Sequence, residues 1–324
     1  MPRQGRPPLL IAVLIGIGIV VAQALLVPLF AAPATHLGPR DLPVVVAGPA
    51  PTADALAAQL PPDAFDITRA PDAAAADALL RDHEAYAAFV IGPTGPAVHT
   101  ASGASPTVAQ LVGQAAASMN APVTDVAPGS PDDPRGAGFA SGFLPLALTA
   151  LAAGAALALL VRGHWARFTG VLVFGVLSGT VGALVLQQWL GVLTDDYLLN
   201  AAAIGLFATA VAGTVTGLGA IAGRPGIGLA VLTVFLVGNP LSAVNAAPEL
   251  LPQPWGAIGQ FLPIGAGGSL LRSTAFFDGA GGAGPAWVLT AYAVVGLLLA
   301  LAGAVRTRRT APVTVPAERV PAAV

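Results

Sequence analysis

Six stretches of the chain, residues 9–31, 139–161, 168–190, 198–222, 227–244 and 286–305, are predominantly apolar and hold no Asp, Glu, His, Lys or Arg. A hydrocarbon core of ~30 Å is crossed by roughly 17–25 helical residues. Six segments of that length cannot share one small soluble core, so the pattern restricts the chain to an α-helical polytopic membrane protein with six transmembrane helices. Composition agrees: 9% of residues are charged and mean hydropathy is +0.78, against about 25% charged in a soluble domain.

The 14 basic residues are all Arg, and their placement predicts an orientation. Arg3 and Arg6 precede the first stretch, Arg162 and Arg167 lie between the second and third, Arg224 between the fourth and fifth, and Arg306, Arg308 and Arg309 after the sixth. Every second connection is basic, which predicts that these face the cytoplasm and that both termini do. The opposite connections carry Asp195, Asp196, Glu249 and Asp278, with Arg272 as the exception. Trp165, Trp189, Trp255 and Trp287 fall at or beside the ends of apolar stretches, where amphipathic rings prefer the headgroup region. The first stretch has two interpretations. Its length favours an uncleaved anchor over a signal h-region of ~7–15 residues, and cleavage after it would leave five spans.

The organisation follows: a cytoplasmic N-terminus (1–8), the first helix (9–31), an extracytoplasmic segment (32–138), a five-helix membrane part (139–305) and a disordered cytoplasmic tail (306–324). Segment 32–138 holds 11 of the 16 acidic residues and 4 Arg. Val44-Val45-Val46, 65–68, 86–91 and 97–101 have strand character, the last two joined by a Gly-Pro-Thr-Gly-Pro turn. Residues 52–60 and 72–83, capped by Thr52 and Asp72, and 105–119 have helix character. A small α/β domain inserted between helices 1 and 2 is expected, with the Pro- and Asp-rich 125–135 as its tether.

Two compositional zeros exclude much chemistry. Without Lys there is no Walker lysine or Schiff-base nucleophile, and without Cys no thiolate, disulfide or thiolate zinc site. His36, His83, His99 and His164 show no metal-ligand spacing, and His83 with Glu84 has the character of a solvated helix end. No catalytic, cofactor or metal residues, no enzymatic activity and no nucleic-acid partner are expected; membrane lipids are.

Residues 239–277 are apolar yet interrupted by Pro240, Pro248, Pro252, Pro254 and Pro263 and by the Gly265–Gly268 run. Such a segment cannot be one straight span. The expectation is an outer re-entrant hairpin over 246–277, with helices at 255–262 and 269–276, a turn at the glycines and Arg272 near the headgroups. Trp255, Pro263, Gly267, Gly268 and Arg272 are its candidate hairpin or gate residues. An interfacial loop is the alternative.

Two motif pairs stand out: Val123-Thr124-Asp125-Val126-Ala127-Pro128 followed by Asp133-Pro134-Arg135-Gly136, and Phe261-Leu262-Pro263-Ile264-Gly265 followed by Leu271-Arg272-Ser273. With them, the layout resembles the YhgE/Pip-like (phage-infection-protein) membrane family, related to ABC type-2 exporter permeases. The resemblance implies a permease-like subunit of a bacterial cell membrane that exports a hydrophobic or envelope-directed compound. It would have no ATPase of its own and would work as a homo- or heterodimer beside a separate ABC ATPase. Arg162, Trp165 and Arg167 are then the candidate ATPase contacts, although membrane anchoring explains the same residues. The resemblance also admits a non-transporting cell-envelope scaffold or surface receptor.

Overall fold

The computed structural model describes residues 8–93 and 95–309. The expectations for Arg3 and Arg6, for Thr94 in the Gly-Pro-Thr-Gly-Pro turn and for the tail from 310 onward fall outside the described residues.

Six helices are long and apolar enough to cross a membrane: Leu9–Pro33, Ala137–Leu160, His164–Trp189, Tyr197–Ala222, Arg224–Leu241 and Ala283–Gly303. They belong to α1 (Pro8–Thr35), α5 (Ala137–Leu160), α6 (His164–Ala183), α7 (Tyr197–Ala222), α8 with α9 (Arg224–Val231 and Gly238–Leu241) and α12 (Ala283–Arg309). α12 is helical beyond residue 306, where the tail was expected to begin. α6 and α8 continue as wider π turns over Leu184–Trp189 and Leu232–Val237. α7 is the central helix, packed on α5, α6 and α12, with Ile204 and Phe207 in a core that includes Phe139, Phe143, Ile264, Leu271 and Leu289. α1 stands apart, touching the bundle chiefly at α9. Its apolar side chains are exposed in every direction, the pattern of a helix with no aqueous face.

Small residues bring the helices together. Gly175 and Gly179 lie against Gly205 of α7, and Gly217 lies against Gly296 of α12, so close that a Cβ at any of them would meet backbone. Gly219-x-x-x-Gly223 divides its work. Gly219 packs on Ala158 and Ile227, whereas Gly223, at φ +68, ends α7. The four tryptophans lie near helix ends and each is more than half exposed.

Between α1 and α5 lies the α/β domain: β1 (Leu42–Ala47), α2 (Ala50–Ala57), β2 (Phe65–Ala70), α3 (Ala73–Arg81), β3 (Ala87–Gly92), β4 (Gly95–Thr100), α4 (Pro106–Ser118) and β5 (Val123–Asp125). The sheet order is β2-β1-β3-β4-β5. β1 pairs in parallel with both β2 and β3, β3 with β4 is an antiparallel hairpin, and β4 with β5 is parallel. The step from β1 to β2 and the return past β1 to β3 run in opposite directions. Crossovers of one hand therefore place α2 and α3 on opposite faces.

Successive valines of β1 point to alternate faces: Val44 packs with α4, Val45 with α3 and Val46 with α2. Asp72 and Ser105 cap α3 and α4, accepting from the amides of Ala75 at 2.9 Å and Val108 at 3.2 Å. Thr52 does not cap α2 as expected. The helix starts at Ala50 after Pro49, and the Thr52 hydroxyl donates to the Pro49 carbonyl. The expected tether begins as β5 and stays ordered, with Asp133 accepting from the Phe139 amide at the head of α5.

Candidate functional site: a polar cavity between the α/β domain and the hairpin

Beyond α9 the chain forms a short 3-10 turn (Pro248–Leu250), α10 (Trp255–Gln260) and α11 (Pro263–Phe276). α10 and α11 form a helical hairpin, but its turn lies at Phe261 and Leu262, and the Gly265–Gly268 run is inside α11 rather than at the bend. The reason is positional. Pro263 has no amide to donate and opens α11 at no cost in hydrogen bonds, whereas the glycines leave room for neighbours. The site of a Gly267 Cβ is taken by the Phe207 and Phe143 rings, and one on Gly268 would come within 2.7 Å of Val244. Trp255, at the head of α10, is half exposed.

The other correction concerns Arg272, expected near the headgroups and found 8% exposed in a protein pocket. Its guanidinium donates to the Gly103 carbonyl of the α/β domain and to the Val244 carbonyl, each at 3.0 Å, and lies 4.6 Å from the centre of the Phe139 ring. One side chain thus ties α11 to the domain, to the loop after α9 and to α5. The described residues form an Arg69–Asp54 ion pair and a His99–Asp77 contact that is ionic only with the imidazole protonated, and Arg272 is in neither.

Arg272 borders a cavity of about 220 Å³ also lined by His83, Tyr86, Ser242, Glu249 and Ser269. The Tyr86 hydroxyl donates to Glu249 Oε2 at 2.9 Å. The His83 ring stacks on Phe277, 4.2 Å between centres, and its Nδ1 lies 3.4 Å from the Ala280 carbonyl. Burial pushes the Glu249 carboxyl up from its usual range, against hydrogen bonds that lower it. Tyr86 is raised well above 10.0 by burial and by the neighbouring Glu249. His83 is lowered from 6.5 by burial, partly offset by the Ala280 carbonyl, with the Arg272 charge lowering it further. Burial brings Arg272 down to about 10, still a cation at neutral pH.

Further contacts fix the domain on this end of the bundle. Arg40 donates to the Leu250 carbonyl, and Thr107 to that of Asn245. Ala246, Ala247, Leu250 and Leu251 join the domain core on one sheet face, and Phe277 on the other.

Arg162, Trp165 and Arg167 lie in or beside the turn between α5 and α6, away from this cavity. Arg162 and Trp165 are exposed. Arg167 donates through Nε to Val161 and through Nη2 to Ala158, each at 2.9 Å, closing carbonyls at the end of α5 that lack helical partners. Sequence reasoning brought Arg272 forward but not Tyr86, His83 or Glu249. A lone carboxylate between Pro248 and Leu250-Leu251 was the available signal for Glu249. The setting of His83 depends on Phe277 and Ala280, which are distant in sequence. Among the described residues no three His, Asp or Glu side chains gather as a metal site.

Fold and site together define a chain with six potential membrane-crossing helices, a small α/β domain seated on one end of the bundle, and a buried cation in the joint. Comparison with protein-family models, curated proteins and solved structures finds no match.

Proposed function

We propose that the chain is a permease-like subunit of a bacterial cell membrane, with the α/β domain outside, both termini inside and the α10–α11 hairpin on the exit side for a hydrophobic or envelope-directed compound. The observation that carries this reading is the joint itself: a hairpin of broken helices is held by Arg272 against an ordered domain, with a partly open cavity between them that polar side chains line. Non-helical backbone is tolerated at membrane depth where it is buried in protein or lines such a cavity. The YhgE/Pip-like resemblance supports the same layout, and export would require energy from a separate ATPase in a dimeric assembly.

One observation favours the second reading, a non-transporting envelope scaffold or surface receptor. The turns on the Arg-rich end are short, α5 passing to α6 through Val161 to Gly163 and α7 to α8 through Gly223, and Arg167 is engaged in closing α5. Among the described residues, little surface is left there to receive an ATPase.

Gene deletion separates the two. Loss of efflux of hydrophobic dyes or labelled lipid, with an ATPase co-purifying with the full-length chain, is expected for export. Unchanged efflux with no ATPase recovered rules export out and leaves the scaffold.

A further inference from the structure

Arg272 and Glu249 line the same cavity without forming an ion pair. Each is held in place by other groups, Arg272 by two backbone carbonyls and Glu249 by the Tyr86 hydroxyl. A guanidinium has five N–H donors. With two fixed by Gly103 and Val244, its plane is set over Phe139 and the remainder can fork onto an oxyanion. On the carboxylate, the Tyr86 hydroxyl donates to Oε2 and the backbone amide of Glu249 also donates, which leaves part of the roughly four acceptor sites of a carboxylate for a further donor. An anion alone would face Glu249 and the exposed Glu84 at the rim, and a cation alone would face Arg272, so either simple ion meets a like charge. The volume, about 220 Å³, equals several waters at ~30 Å³ each, the space of a headgroup.

We propose that this cavity binds a small zwitterion, an oxyanion and an ammonium a few bonds apart as in phosphoethanolamine, with the oxyanion on Arg272 and the ammonium on Glu249. The ligand is a lipid headgroup or the free zwitterion. A second cavity of about 240 Å³ shares Ser242, Ala243, Val244 and Ala246 with the first and is bordered by Phe30, Pro33 and Leu37 at the end of α1. Its lining mixes Asn239, Ser242 and Asn245 with Phe30, Leu37 and Leu251, and a tail would lie on the apolar side, along the end of α1. The loop between the cavities holds Ala243 at φ +54, a left-handed conformation costly for a residue with a Cβ. This inference deepens the function proposed above and rests on it only in taking the ligand from the envelope. Binding and efflux are separate readouts, so either can fail alone.

The test uses delipidated full-length protein in detergent, titrated calorimetrically with dihexanoyl phosphatidylethanolamine, dihexanoyl phosphatidylglycerol, free phosphoethanolamine and inorganic phosphate. Phosphatidylethanolamine is expected to bind at least about tenfold more tightly than phosphatidylglycerol or phosphate. Glu249→Gln keeps an acceptor for Tyr86. It should cost the ethanolamine lipid about tenfold and, by removing a like charge, bind phosphate no more weakly than wild type, while Arg272→Gln should abolish binding of both. Should Arg272→Gln not fold, Glu249→Gln decides alone. Free phosphoethanolamine binding as tightly as the lipid upholds the site and assigns it to a soluble zwitterion; weaker binding assigns it to lipid. Equal affinity for the two lipids, an unchanged affinity in Glu249→Gln, or no binding of any probe overturns the proposal.

Discussion

At the scale of single residues, the cavity joins groups whose ionisation is displaced in different directions. The folded pKa of His83 lies below its ordinary 6.5, chiefly through burial. Its neutral form therefore contributes stability that is whole above about 6.5 and is lost as pH falls through the folded value. Glu249 works in the opposite sense, because its raised pKa favours the protonated form and acidification relieves its burial. The net profile mixes both, but a difference isolates one. His83→Phe keeps an aromatic ring against Phe277 and cannot titrate. Its melting temperature in detergent, relative to wild type, should rise as pH is lowered from 7 to 5, and a constant difference would show that His83 titrates alike in the folded and unfolded chain and is not held neutral by burial. The sequence revealed that Arg272 is an isolated cation in an apolar segment. It could not reveal that Gly103, 169 positions away, supplies its carbonyl, since no local pattern encodes a contact across that separation.

At the scale of elements, the sequence was legible at most places where a local period or cap decides the outcome, though not at α2, which starts after Pro49 without a cap from Thr52. Asp72 and Ser105 open their helices, and β1 alternates between sheet faces as its valines imply. It was misleading where one residue type serves two purposes. Glycine permits both turns and close packing, so the Gly265–Gly268 run suggested the bend, although Pro263 marks it. A valine at Gly267 would press on Phe207 and Phe143 in a full core. Overpacking of this kind costs about 1–3 kcal/mol, so Gly267→Val should lower both thermal stability and yield, whereas a pure gate residue would lose activity at normal stability. Arg167 can be tested on the same axis. Its bonds to the Ala158 and Val161 carbonyls hold its charge at the C-terminal end of α5, where a cation alone is worth ~0.3–1 kcal/mol. Arg167→Ala should show a small loss of melting temperature with any co-purifying partner retained. Loss of a partner at unchanged stability would instead make Arg167 a docking residue.

At the scale of the whole molecule, charge and architecture bear on one orientation. The turns with Arg162 and Arg224 lie at one end of the bundle, and the loops with Asp195, Glu249 and Asp278 at the other. The α/β domain is seated on that second end, through Ser130 to the Gly191 carbonyl, Arg40 to Leu250 and Arg272 to Gly103. An excess of Arg marks cytoplasmic connections, so the domain and its cavity should face outward. The absence of Cys from the whole chain makes this testable with one thiol at a time. Asp63→Cys, at an exposed position before β2, should react with a membrane-impermeant maleimide in intact cells. Arg162→Cys, exposed in the α5–α6 turn, should react only after permeabilisation. The reverse pattern would turn the molecule over, placing the cavity at the cytoplasmic leaflet, where it could receive a ligand but could not release one outside; the exit-side assignment of the hairpin would then fall even if the zwitterion bound as expected.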